Sequence, residues 1–194
     1  VYGFAKRIDG VNFSAETVWE GKIEEGMSYH YTGNKKGYQY ISEASELENI
    51  GDNKYDFLLS CHSLEHIANP IKTLKNWNKV LQNAGKFILV LPDKDFTFDH
   101  NRPYTTFEHL LLDFNEQRDE HDSTHFEEVL SLHDISKDAM INSREELKTR
   151  IQDNFLNRCV HHHVYSLDLI KKLLEYCGFK VLFQQKVKPF HLVT

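Results

Sequence analysis

The sequence predicts an α/β protein built on a doubly wound, mostly parallel sheet with an antiparallel last strand. Three observations carry that prediction. Residues 55–61 (YDFLLSC) and 87–91 (FILVL) have continuous apolar centres, the pattern of strands buried on both faces. Between them lies a helix pattern: Asn69 can cap it, Pro70 suits its first turn, and Ile71, Leu74, Trp77 and Leu81 share one face. Strand, helix and strand with short joins make a parallel crossover unit.

The remaining elements follow in order. Residues 1–9 (VYGFAKRID) form a strand-like run closed by an acid, and a polar stretch of weak periodicity extends to about Lys36. Residues 37–42 (GYQYIS) read as a second short strand, followed by Glu43. The helix that begins near Pro70 is expected to stop at Gly85. Pro92 closes the strand at 87–91, and residues 93–160 then break the alternation. That stretch is polar and rich in His, Asp and Glu, with helix-like pieces at 107–114 and 144–155. An insertion of this size after a parallel strand is expected to form a helical lid beside the strand ends. Alternation resumes with a helix at 167–177, capped by Ser166 and stopped by Gly178. Residues 179–186 and 190–193, separated by a Lys-Pro turn, read as a closing hairpin.

Composition narrows the function. The chain has 194 residues, 40% of them hydrophobic, and suits one domain spanning 1–194. Its formal net charge is -6 and it has no run of five basic residues, which argues against nucleic acid as a partner. No apolar run approaches the roughly 20 residues needed to span a bilayer. Lys6, Arg7 and Asp9 interrupt any signal peptide, and the widely spaced Cys61, Cys159 and Cys177 fit reduced thiols in the cytoplasm.

From Tyr55 to Pro92 the run YDFLLSCHSLEHIANPIKTLKNWNKVLQNAGKFILVLP resembles the class I S-adenosylmethionine-dependent methyltransferases. The matching pieces are Tyr55-Asp56, the small polar residues Ser60 to Ser63, Leu64-Glu65-His66, Pro70 and Gly85. The set is specific, although no single piece would be. Stretches further on, DHNRPYTTFEHLLLDF and HHHVYSLDLIKKLLEYCGFKV, resemble enzymes of bacterial polysaccharide and small-molecule methylation. The resemblance implies a Rossmann-like fold, S-adenosylmethionine as cofactor, and methyl transfer to an oxygen or nitrogen of a small molecule or sugar. It also implies contacts: Asp9 with the cofactor ribose, Glu43 and Ala44 around the adenine, and Cys61 and His62 at the end of the strand they follow. The family's Gly-rich turn after its first strand has no counterpart here. A missing unit of about 30 to 50 residues, one strand and one helix, is therefore expected upstream.

For catalysis, holding donor and acceptor in line supplies most of the rate, and a base helps when the acceptor is a hydroxyl. His66 and His100 are the candidate bases. In Asp99-His100-Asn101-Arg102-Pro103, Asp, His and Arg can orient a hydroxyl, or simply brace a loop with a salt bridge. His109 can point inward or lie on the surface, and His121 and His125 can pair on a helix. His161-His162-His163 offers at most His161 and His163 to one ligand, because adjacent strand residues point to opposite faces. No metal is expected at the site. Two alternatives stand beside the enzyme reading: an inactive methyltransferase-like scaffold, and a zinc hydrolase using His62 and His66 of the H-x-x-E-H pattern.

Overall fold

The computed structural model describes residues 3–47 and 49–194 and divides the chain into two compact units, Val1–Gly51 and Asp52–Thr194. The first unit is built from short strands: β1 (Gly10–Asn12), β2 (Glu16–Thr17), β3 (Gly21–Lys22), β4 (Gly26–Thr32) and β5 (Lys35–Ile41). β5 is central in a three-stranded sheet, parallel to β1 and antiparallel to β4, while β2 and β3 pair with each other.

Two expectations for this unit need correction. Residues 3–9 are not a strand; pairing begins at Gly10, and Val1 and Tyr2 lie outside the described residues. β4 was hidden in the polar stretch, because Met27, Ser28, Tyr29 and His30 show no clean alternation of apolar and polar residues. Gly37 is required on β5: a Cβ there would lie 1.7 Å from the Ile8 carbonyl oxygen. That close approach lets the Asp9 carboxylate accept from the Tyr38 amide at 2.8 Å.

The second unit contains β6 (Tyr55–Cys61), α1 (Pro70–Val80), β7 (Leu81–Pro92), α2 (Phe107–Asn115), α3 (Phe126–Leu132), α4 (Arg144–Gln152), α5 (Asn154–Asn157), α6 (Leu167–Tyr176), β8 (Gln185–Val187) and β9 (His191–Val193). Its sheet has the order β6-β7-β9-β8; β6 and β7 are parallel, and the β9 and β8 pairings are antiparallel. The crossover through α1 and the antiparallel close agree with the sequence reading. The two larger sheets are mixed rather than mostly parallel, with short strands supplying the antiparallel pairs.

α1 starts as expected, with Asn69 accepting from the Lys72 amide at 3.1 Å. It ends at Val80 rather than near Gly85, because Leu81 turns extended and pairs with Tyr55. Ile71, Leu74 and Trp77 bury the helix face against the sheet side chains, with Trp77 edge-on to Phe87. α6 adds Leu169, Ile170, Leu173 and Leu174, and Gly178 at φ +89° provides the left-handed residue that ends it. The strand expected at 179–186 pairs only over Gln185–Val187.

The insertion is helical as expected, through α2, α3, α4 and α5. It has its own apolar cluster of Val129, Ile141, Leu147, Ile151 and Val160. The three cysteines are free thiols. Among the described residues, no helix is long and apolar enough to cross a membrane.

Leu74 is completely buried in α1. Leu74→Ala is expected to cost about 2–5 kcal/mol, measured by urea denaturation of the full chain.

Candidate functional site

The site is built where β6 ends. Ser60 pairs beside Leu89 and Cys61 beside Val90, and the His62 amide still donates to the Val90 carbonyl at 2.9 Å. His62 then takes φ +50°, turning the chain out of the sheet into a 3-10 turn, Leu64–His66. That turn drives Leu64 and Glu65 into the interior and leaves His66 partly exposed.

Glu65 is fully buried, and neither carboxyl oxygen has a hydrogen-bond partner. Burial pushes its carboxyl up from 4.5 to about 7. Its neighbours are His66 and His161: one ligand atom from each of the three residues lies within 4.8 Å of the others. His66 Nδ1 lies 3.2 Å from the Val160 carbonyl, which fixes the proton there and leaves Nε2 as an acceptor. Burial and the neighbouring His161 hold its pKa well below the usual value, so the ring is neutral at physiological pH.

His161 is braced from behind. Its Nδ1 bonds the Asp99 carboxylate, and Arg102 Nη1 donates to the other Asp99 oxygen at 3.0 Å. Burial works against an ionised Asp99, but His161 and Arg102 together hold its carboxyl well below the usual range. Burial likewise disfavours a charged His161, and the Asp99 carboxylate more than offsets it, so the imidazole pKa is raised.

Arg102 is 1% exposed and fully engaged. Besides Asp99, it donates to Glu128 at 2.7 Å and to the carbonyls of His161 and His162 at 2.8 and 3.2 Å. A guanidinium so enclosed positions other groups. The salt-bridge reading of the Asp99–Arg102 loop describes this arrangement, and direct hydroxyl contact by Arg102 does not fit its burial.

The other anticipated residues are distributed as follows. Cys61 is exposed; partial burial and then Glu65 raise its thiol pKa, which keeps it protonated. His62 is half-buried, with Nε2 2.9 Å from His191 Nδ1 and its ring edge-on to Phe190. His100 points elsewhere, pairing with Asp134 at 2.7 Å. In the first unit, Asp9 precedes β1 instead of ending a strand, and its Oδ1 accepts from Tyr38 and Arg7. Glu43 and Ala44 do follow a strand, β5, and the Glu43 carbonyl accepts from the Glu46 and Leu47 amides in a turn.

The H-x-x-E-H geometry of a zinc hydrolase is not formed, because His62 precedes a 3-10 turn that His66 ends, so the two do not share an α-helix face. The His161–His163 run does not alternate as a strand would. His161 stacks near His66 and Phe98, whereas His162 and His163 both approach His125. Sequence reasoning missed Glu65 as a site residue. Its signal was available, a glutamate immediately beside an apolar leucine at a strand end, but nothing local says that it is buried.

This arrangement defines a class: an α/β enzyme with ionisable side chains gathered at the carboxyl end of a parallel strand, where such folds bind ligands. A family model described as a methyltransferase domain matches residues 6–184, and the chain belongs to that methyltransferase family. It is an enzyme of that methyltransferase family. Among solved structures, its fold is similar to that of a Listeria monocytogenes protein assigned as an S-adenosylmethionine-dependent methyltransferase. The TM-score is 0.53 and the identity 17%, over 97% of this chain and 78% of that one. No curated protein matches the sequence.

Because the Glu65 pKa is raised in the folded state, its contribution to stability is complete below pH 4.5 and is lost as the pH rises through about 7. Glu65→Gln removes that loss. Thermal melts are expected to show the variant gaining on the parent between pH 5 and pH 8, by on the order of 3 kcal/mol at the upper end. Parallel pH profiles for the two proteins would show that Glu65 titrates normally.

Proposed function

We propose that the chain transfers a methyl group to a hydroxyl oxygen, or to a nitrogen, of a small-molecule or sugar acceptor, with His66 taking the acceptor proton. The observation that carries this reading is the convergence of Glu65, His66 and His161 behind the end of β6, with Asp99 and Arg102 bracing His161. A neutral imidazole with its Nδ1 proton tied to a carbonyl presents an Nε2 lone pair, which a base needs. Glu65, with a pKa near 7, can receive or return a proton within the same cluster.

The residues fit the cofactor by their chemistry. Glu43 is an acid beside the small Ala44 after β5, and Cys61 and His62 stand at the end of β6 with part of their surface open. We assign Glu43 and Ala44 to the adenine, and Cys61 and His62 to the cofactor near its reactive end. S-adenosylmethionine supplies an electrophilic methyl group on a sulfonium. The chain's own task is to align the acceptor, exclude water and hold the released proton. Asp9 is assigned to the ribose. Its carboxylate also anchors Tyr38, so losing it affects binding and stability together. His100, paired with Asp134, is the second candidate base.

The sugar preference rests on the polar, His-rich insertion, which offers hydrogen-bonding groups rather than an apolar slot. A net charge of -6 disfavours a nucleic acid acceptor. Free thiols support a cytoplasmic setting.

Two measurements test the proposal. Calorimetric titration with S-adenosylhomocysteine is expected to show binding that Asp9→Ala and Glu43→Ala weaken; an unchanged affinity in both would remove the adenosine assignment. Methyl transfer from labelled donor to a panel of sugar hydroxyls and small amines is expected to find an acceptor. On it, His66→Ala should lower kcat by about 10²-fold or more with cofactor affinity unchanged. Full kcat in that variant, with loss in His100→Ala, would move the base to His100.

A further inference from the structure

Apart from the cluster behind β6, the insertion and the segment that follows it bring together a second group of ionisable side chains that the methyl-transfer reading does not use. His109 and Asp113 lie four residues apart on α2 and therefore share a face. His125 stands at the entrance to α3, and His163 lies on the irregular segment before α6. One ligand atom from each of the four lies within 4.8 Å of every other. His109 Nε2 is 2.8 Å from His125 Nε2 and 3.4 Å from Asp113 Oδ2, and His163 Nε2 is 3.0 Å from the same Asp113 oxygen.

Three imidazoles and one carboxylate aim nitrogen and oxygen donors at a common centre. Three of the four side chains are buried, Asp113 at 2% and His163 at 0% exposure, while His109 forms the rim at 39%. A tetrahedral zinc ion with bonds of about 2.0–2.2 Å keeps its donor atoms about 3.3–3.6 Å apart. The His109–Asp113 pair already stands at 3.4 Å, and the 2.8 and 3.0 Å pairs are hydrogen bonds that must open by about half an ångström to admit the ion. The imidazoles and carboxylate are also the donor types that zinc takes.

The surroundings orient the donors. His125 Nδ1 lies 3.1 Å from Asp122 Oδ2, which places the proton on Nδ1 and turns the Nε2 lone pair toward His109. Asp122 is itself fixed by Arg118 at 3.1 Å and by the Thr124 hydroxyl at 2.8 Å. This is the carboxylate–histidine support that metal-ligating imidazoles commonly have. On α2, Thr106 accepts from the His109 amide at 3.2 Å and fixes where that side chain starts.

We propose that His109, Asp113, His125 and His163 bind one zinc ion in a closed, four-ligand structural site. The ion joins α2, the entrance to α3 and the segment leading into α6. With four protein ligands it leaves no position for a reacting group, so its role is to hold these elements together. The proposal does not depend on the identity of the methyl acceptor or on the catalytic base.

The test uses the full chain, stripped with a chelator and shown to be folded by circular dichroism, then titrated with zinc chloride in competition with a chromophoric chelator. One zinc per chain is expected by elemental analysis, with a rise in Tm and a tetrahedral ligand-field spectrum when cobalt replaces zinc. His109→Gln alters the exposed rim ligand, so it should fold as the parent does; its zinc affinity is expected to fall at least about 10-fold. His121→Ala, at a surface histidine outside the group, should bind zinc as the parent does. A folded parent that takes up no zinc would overturn the proposal. So would loss of zinc in His162→Ala with retention in His109→Gln, because the ligands would then be the neighbouring Asp122, His125 and His162.

Discussion

The guanidinium of Arg102 holds together parts of the second unit that are far apart in sequence. From one buried position it engages Asp99 in the loop after β7, Glu128 on α3, and the carbonyls of His161 and His162. A buried charge is tolerable only when paired and hydrogen-bonded, and here several acceptors from three segments do that work. Fixing two successive carbonyls also fixes the backbone of the three-histidine run. The directions of those imidazoles follow from that restraint: His161 goes toward Asp99, His162 toward Asp122 and His163 toward Asp113.

The polar interior is consequently arranged in two neighbourhoods with one shared wall. On one side, Glu65 and His66 meet His161 behind the end of β6; on the other, α2 and the start of α3 meet His163. The apolar core does something different. Leu64, Ile71, Leu74, Leu89 and Leu173 exclude water around α1, α6 and the sheet, which raises the energetic stakes of every ionisable group at the strand end. The raised Glu65 pKa is a direct product of this exclusion, because burial outweighs the opposing pull of His161 and of the backbone.

The sequence was most legible where a single local rule decides the structure. Asn69 and Pro70 announce α1, Ser166 and Gly178 bound α6, and the apolar centre of β6 marks a buried strand. It was least legible where long-range pairing decides. β4 has little alternation of its own and forms because β5 offers it an edge, while residues 3–9 lack a partner strand despite a strand-like composition. The candidate site divides the same way. His66 could be chosen from its motif, and Arg102 and Asp99 could be read as a local salt bridge. The joining of Asp99 to His161, 62 residues away, is tertiary information. Glu65 was visible as part of a motif but not as a site residue, because only packing reveals a buried carboxylate, and the grouping of His109 with His125 and His163 depends on where α2 and α3 come to rest.

The insertion's separate apolar cluster, Val129, Ile141, Leu147, Ile151 and Val160, has an evolutionary consequence. A segment that keeps its own oily centre can change its outer residues without retuning the sheet beneath it. Substitutions on the outside of α3 and α4, apart from Glu128 that pairs with Arg102, therefore leave the buried arginine and the packed interior undisturbed. A lineage could thus acquire new surface chemistry in this segment by a few point substitutions and keep the same foldable framework.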